Sequence, residues 1–286
     1  MGNTLSSYRW GGTTINISKQ TRLGVTFYAC DHPDWEQVPH GFSTRLGGVS
    51  PAPWDSLNLG ANRGDEGNNV AENFSRFRAA IGCAEGPLVK NHQVHGTLVR
   101  SVTAADAEPP ELPAPIDADG LVTDEAGVTL TVFSADCLPV LFYDPVRACI
   151  AAVHAGWRGT AAGIAAEAVK AMTQRYGCDA KNIRAAIGPG ISHCCFETTG
   201  DVPAALREHL GEVAGSCITD HRSGKFHVDL KKANLLWLER AGLDRGHISV
   251  CDACTACDLD TFWSHRRTGN SRGSMAAMIC LPGRRG

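Results

Sequence analysis

Three side chains stand apart as candidates for chemistry: His95 in NHQVHG, Cys137 in SADCLPV and His154 in AVHAGWRG. Imidazole and thiolate are the ligands that zinc and copper take. Three protein donors leave a fourth tetrahedral position open, the mark of a catalytic metal that activates a water or polarises a substrate atom. The same atoms also suit a metal-free pair, with Cys137 as nucleophile and His154 or His95 as its base. Spacing alone leaves a third reading open, in which a Cys and a His near strand ends are buried filler.

Other segments carry weaker signals. CDACTACD places Cys251, Cys254 and Cys257 in a C-x2-C-x2-C run, the spacing of iron–sulfur and structural zinc segments, but no fourth ligand is evident. The expectation is that Cys254 lines a pocket and its neighbours pack. The adjacent cysteines of SHCCF point different ways on most backbones and read as packing. GWRGTAAG opens a helix, so its backbone N–H groups and Arg158 suit an anion. Arg45 in STRLGG ends a strand beside glycines and is a second phosphate candidate. WSHRRTGNSRG adds Arg266, Arg267 and Arg272. The GPG turn lacks the Lys and Ser/Thr of a phosphate loop, and no G-x-S-x-G elbow is present.

The metal candidates are distant in sequence, so the fold must gather them. Residues 138–143 and 148–153 are apolar runs with a short turn between them. Paired antiparallel, they would set Cys137, at the start of one, beside His154, at the end of the other. Helices are expected over 68–82, with apolar residues every third or fourth place and Gly82 as the stop, and over 159–177 as one long helix. DVPAALREHL and KKANLLWLERAGL read as helices; NIRAAI, FHVDL, HISVCD and MAAMICL read as strands. Residues 87–102 read as two short strands around a turn at Gly96, and 104–118 as an exposed Pro-rich loop. Many strands are joined by turns too short for crossover helices. This predicts an α+β chain with mixed sheets and helices outside them.

The composition narrows the classes. The 286 residues are 43% hydrophobic and 20% charged with a net charge of -3, ordinary for a globular enzyme and without the basic surface of a nucleic-acid binder. No apolar run reaches membrane-span length, and the first twenty residues lack a signal-peptide core, so the expected compartment is the cytoplasm. There the 12 cysteines are mostly small buried hydrophobes, with a few reactive or metal-bound.

HGFSTRLGGVSPAPWDSLNLG, NHQVHG, ADGLVTD, SADCLPVLFYDP, AVHAGWRGTAAGI, IGPGIS followed by CCFE, CTACD, FWSHRR and MAAMI occur in the order of the signature segments of another set of proteins. Over residues 38–282 the chain resembles the laccase-domain (YfiH-type) proteins, also labelled polyphenol oxidases. The resemblance implies one catalytic domain over 38–286; residues 1–37, outside it, read from their composition as a loose lead-in with one short strand at GVTFYA. It implies a layered α/β/β/α arrangement of the YfiH-like cysteine-hydrolase fold. It also implies a metal held by His95, Cys137 and His154, zinc or alternatively copper. The implied partners are purine nucleosides and phosphate, with no nucleic acid or membrane, in a monomer or homodimer. The implied reaction is phosphorolysis of adenosine, inosine and methylthioadenosine, accompanied by adenosine deamination. Two departures fall in the C-terminal segment: His265 replaces a tyrosine, and the arginine of the family pattern is displaced to Arg272.

Two other activities compete with the nucleoside enzyme. A copper-dependent polyphenol oxidase needs about ten histidines in paired H-x-H motifs, whereas this chain has 11 in total and no such motif. A metal-free Cys–His hydrolase would be indifferent to chelators. A scaffold with a vestigial site is the remaining class.

Overall fold

The computed structural model describes residues 17–83, 86–220 and 224–282. In chain order its strands and helices begin with β1 (Ile17–Arg22), β2 (Val25–Cys30), β3 (His40–Ser43), α1 (Gly67–Ile81), β4 (Leu88–Val89) and β5 (Val99–Ser101). They continue with β6 (Gly120–Thr123), β7 (Thr129–Ser134), β8 (Leu138–Asp144), β9 (Cys149–Ala155), α2 (Trp157–Ala161) and α3 (Ile164–Tyr176). Then come β10 (Arg184–Ile187), β11 (Glu197–Thr198), α4 (Asp201–Leu210), β12 (Ile218–Asp220) and β13 (Phe226–Val228). The last are α5 (Leu230–Arg240), β14 (Ile248–Val250), α6 (His265–Thr268) and β15 (Met275–Cys280).

Two six-stranded sheets carry the fold, in the orders β1-β2-β3-β15-β7-β4 and β14-β10-β8-β9-β6-β5; a small third sheet runs β11-β13-β12. Both large sheets are mixed, with parallel pairs at β4–β7, β5–β6 and β10–β14. Strand alternation sorts the apolar side chains into layers. On β9, Cys149, Ala151 and Val153 join the α3 face (Ile164, Ala168, Met172), while Ile150 and Ala152 face the other sheet. On β15, Ala277 and Ile279 face the second sheet, while Ala276 and Met278 pack against Val70, Phe74 and Phe77 of α1. The result is the expected α/β/β/α stack. The near-continuous apolar runs of β8 and β9 follow from burial on both faces.

Three local expectations are corrected. The helix over 159–177 is two helices, α2 and α3, because Gly163 sits at φ +83° and breaks the ladder between them. A Cβ at Gly163 would also press the Trp237 ring at 3.1 Å. The strands at 87–102 do not pair around Gly96: β4 joins the first sheet and β5 the second, and the loop between them crosses from one to the other. The lead-in holds two strands rather than one. β1 and β2 form a hairpin whose β2 pairs with β3, and Phe27 and Trp35 are buried. Residues 1–16 of the lead-in lie outside the described residues.

Leu141 lies fully buried between the sheets. Leu141→Ala should lower the unfolding free energy by about 2–5 kcal/mol. A lower denaturant midpoint at unchanged slope in an equilibrium unfolding curve checks this.

Candidate metal centre and its cavity

The β8–β9 hairpin sets Pro139 opposite His154 and Leu138 opposite Ala155. Cys137 therefore stands at the hairpin's open end beside His154, as the turn between the strands requires. His154 shares its face of β9 with Ile150 and Ala152, so it emerges at the edge of the space between the sheets. His95 arrives from the loop between β4 and β5. One donor atom from each of His95, Cys137 and His154 lies within 4.8 Å of the other two.

Asp119, just before β6, makes this convergence possible. Its carboxylate accepts the backbone N–H groups of Val94 (3.1 Å), His95 (3.0 Å) and Gly96 (2.7 Å), and the Nδ1–H of His154 at 2.8 Å. The side chain is wholly buried. One anion thus holds the His95 loop and orients the His154 ring, leaving Nε2 of His154 for an ion. His95 itself sits at φ +63°, a left-handed conformation costly for a non-glycine residue and held here by the Asp119 bonds. Gly156 completes the cradle: a Cβ there would run into Nδ1 of His95 and lie 3.4 Å from the Cys137 sulfur.

Asp136 sets the other flank. It has φ +89°, and its buried carboxylate accepts from Thr255 Oγ1 (2.6 Å), Ser264 Oγ (3.0 Å) and the backbone N–H of Arg266 (2.6 Å). This ties the turn bearing Cys137 to the C-terminal segment. The two-imidazole, one-thiolate donor set, the carboxylate behind one imidazole and the side-chain-free Gly156 all fit a zinc-type ion with one position open.

Burial and mutual charges shift the two imidazoles of the metal-free site in opposite directions. Burial opposes a charge on His154, but attraction to Cys137, then the Asp119 bond, outweigh it and push its pKa up to about 9. Burial, followed by repulsion from His154, pushes the His95 pKa down. Burial works against the Asp119 charge, yet the bonds to His154 and the backbone hold its carboxyl below the usual range.

The three donors open into a cavity of about 670 Å³, which Phe133, Trp157 and Ile191 also line. Three arginines line it, Arg63, Arg266 and Arg272; Arg266 donates to the Glu197 carbonyl at 2.8 Å, while the other two converge on one hydroxyl. Arg63 Nε (3.2 Å) and Arg272 NH1 (3.4 Å) both donate to the Ser274 hydroxyl. Arg272 is buried, its Nε has no partner, and neither arginine has a carboxylate within ion-pair distance among the described residues. Burial and then repulsion by Arg63 push the Arg272 pKa down to about 10. Two unneutralised cations on one hydroxyl call for an anion between them. Lys90 contributes no such charge to a ligand. Its ammonium is capped by the carbonyls of Pro109 (2.6 Å), Pro110 (2.8 Å) and Leu112 (2.5 Å), which fold the Pro-rich loop into a cavity wall.

Arg266 lines the cavity with its guanidinium on the Cys195 and Glu197 carbonyls, whereas other sequence candidates lie elsewhere. The Arg45 guanidinium is spent on the carbonyls of Asp55 and Leu259 and stacks 3.9 Å from the Trp263 ring, so it braces two loops and does not line the cavity. Arg158 is exposed over the face of Trp157, outside the cavity lining. Cys254 also lies outside that lining and meets three other cysteines. Asp119, Asp136, Gly156 and Arg63 were not singled out by sequence reasoning. The signals for the first two were an acid followed by glycine in ADG and an acid before the cysteine in SADC.

A family model described as multi-copper polyphenol oxidoreductase laccase matches residues 39–282. The chain belongs to this laccase family. Among its relatives is a purine nucleoside phosphorylase of Deinococcus radiodurans, 40% identical over 87% of this chain and 91% of that protein. The purine nucleoside phosphorylase YfiH of Escherichia coli is 37% identical over 87% of this chain and 97% of its own. The crystal structure of YlmD from Geobacillus stearothermophilus superposes with a TM-score of 0.88 at 34% identity, covering 94% of this chain and all of that one. The laccase-family fold is thus the layered α+β arrangement expected from sequence.

Two outcomes check the site. Asp119→Asn should weaken zinc affinity about 10- to 100-fold with the chain still folded, read by competition with a chromophoric chelator. Because the metal-free His154 is protonated below about pH 9, protons compete with the ion. Zinc affinity should therefore fall as pH drops through 9, and zinc added at pH 8 should release protons, measurable in a weakly buffered indicator solution.

Proposed function

We propose that the chain is a metal-dependent purine nucleoside phosphorylase acting on adenosine, inosine and methylthioadenosine, with accompanying adenosine deamination, in the cytoplasm. The observation that carries this reading is that the His95–Cys137–His154 cluster and the Arg63–Arg272 pair line one cavity. Phosphorolysis needs both an anion subsite and an electrophilic group in a single chamber. The relatives named as purine nucleoside phosphorylases support it. Among the described residues no helix is long and apolar enough to cross a membrane, and the described cysteines are all free thiols, in keeping with that compartment.

His95, Cys137 and His154 would hold the ion, which supplies Lewis-acid polarisation of a substrate atom when bound. The residues account for the rest. Arg63 and Arg272 hold phosphate as an anion and fix its approach, replacing the solvent shell it loses on entry. A phosphate oxygen then bonds to the anomeric carbon as the bond to the purine nitrogen breaks. The bond electrons leave with the base, which takes up a proton equivalent to the one that hydrogen phosphate gives up in becoming the sugar phosphate dianion. The guanidiniums, already in place, offset the charge that moves through the transition state. The pairing of Arg272 with Ser274 and Gly273 fixes its fork before phosphate arrives. The copper-oxidase reading has the family model's description in its favour. A single donor set of one cysteine and two histidines, however, cannot collect the four electrons that reduce oxygen to water.

The test is to incubate the metal-loaded protein with adenosine or inosine and follow free base and ribose 1-phosphate by chromatography. Base release should require phosphate and stop in Cys137→Ala. Arg272→Met should raise the phosphate KM at least 10-fold, about 1.4 kcal/mol, with a smaller change in the nucleoside KM. Base release that proceeds equally without phosphate, or that survives Cys137→Ala, overturns the reading.

A further inference from the structure

Two cysteines of the C-x2-C-x2-C run, Cys254 and Cys257, meet two more from about sixty residues upstream. Cys194 and Cys195 sit in the turn between β10 and β11, and Cys254 and Cys257 in the loop after β14. Their four sulfurs lie within 4.8 Å of one another. Cys194–Cys195 measures 3.8 Å, Cys194–Cys257 3.6 Å and Cys195–Cys257 3.3 Å. Cys251, by contrast, is buried between the sheets and takes no part. Of the SHCCF cysteines expected to pack, Cys195 does lie against the apolar core, whereas Cys194 is exposed, as is Cys257, and apolar packing does not gather exposed thiols.

We propose that Cys194, Cys195, Cys254 and Cys257 form a second metal site, a closed tetrathiolate centre for a zinc-type divalent ion. Four sulfurs each about 2.3 Å from a tetrahedral zinc are about 3.8 Å apart, close to the separations observed. None of the three measured pairs is near the roughly 2.05 Å of a disulfide. Soft sulfur donors in this number select zinc or iron over magnesium and calcium.

The surroundings support the sulfurs as a metal site's outer groups do. The backbone N–H of Ser192 donates to the Cys254 sulfur at 3.3 Å, and Arg267 NH2 approaches the Cys195 sulfur at 3.6 Å. Arg267 is itself fixed by its Nε bond to the Ala256 carbonyl at 2.8 Å. Lys231, buried below, ties the two loops together through Ser192 Oγ and the Ala253 carbonyl, both at 2.8 Å. These cations offset the charge of four thiolates and one divalent ion.

With all four positions filled by protein, the ion is structural. The loop that holds Cys194 and Cys195 also places Ile191, Phe196 and Thr198 in the cavity wall, so the ion clamps that wall to the 251–258 loop.

The experiment uses reduced, full-length protein. Metal analysis should find two zinc ions per chain in the wild type, one in Cys137→Ala and one in Cys194→Ser/Cys257→Ser. Cobalt added to metal-free Cys137→Ala, whose four cysteines are intact, should give sulfur-to-cobalt charge transfer and the strong visible bands of tetrahedral tetrathiolate cobalt. This arm does not depend on the cluster variant folding, or on the catalytic reading being right. One zinc per chain, lost in Cys137→Ala and kept in Cys194→Ser/Cys257→Ser, overturns the proposal. So does a Cys137→Ala protein that takes up no cobalt, or an intact mass two hydrogens low that shows these cysteines paired as a disulfide.

Discussion

The centre depends on one buried carboxylate. Asp119 has no exposed side-chain surface, and all its contacts are donors: three consecutive backbone N–H groups of the His95 loop and one ring N–H of His154. A buried anion is costly unless fully hydrogen-bonded, so the residue works as a constraint. If the His95 loop moves away, a desolvated charge is left short of partners. That penalty keeps His95 in a left-handed conformation and keeps two imidazoles, from opposite ends of the sequence segment, facing one sulfur. Asp136 plays the same part on the other side, binding the Cys137 turn to Thr255, Ser264 and Arg266.

The layered fold explains why these acids sit where they do. The two sheets pack face to face with an apolar interior, and the strand ends at one edge remain open. The polar groups needed for chemistry appear only at that edge, where β6, β8 and β9 begin or end. The cavity walls are then loops, held by specific polar bonds rather than by packing. Lys90 pins the Pro-rich loop, Lys231 joins the 192 and 253 loops, and Arg45 braces the loop that carries Asp55. Three of the chain's cationic side chains thus serve as struts. Arg63 and Arg272 are the two cavity guanidiniums that converge on one hydroxyl, that of Ser274.

What sequence could show follows from range of interaction. The hairpin that unites Cys137 and His154 was legible because strand, turn and strand are contiguous, and α1 was legible from its apolar spacing and Gly82. The position of His95 was not, because it depends on bonds to an acid 24 residues on, within a loop that has no periodicity. Residue type made His95 a candidate ligand, but only the family resemblance implied that it joins Cys137 and His154. Arg45 and Arg63 show the same limit: both stand beside glycines, and only the three-dimensional carbonyl partners of Arg45 separate a brace from a ligand contact. The α2–α3 break follows from the left-handed φ of Gly163, where the Trp237 ring leaves little room for a side chain, a contact that no local window contains. The cysteine pairs 194/195 and 254/257 were each visible, but their meeting is a product of β10 pairing parallel to β14.

The measurement that bears most directly on this account is a crystal structure of the zinc-saturated protein with anomalous data at the zinc edge. The expected result is an anomalous peak at bonding distance from a ring nitrogen of His95, the Cys137 sulfur and Nε2 of His154, with the Asp119 carboxylate on Nδ1 of His154 and on the three loop N–H groups. A zinc-saturated, active protein with no peak among these three side chains, or with Asp119 turned away from the His95 loop, would contradict it.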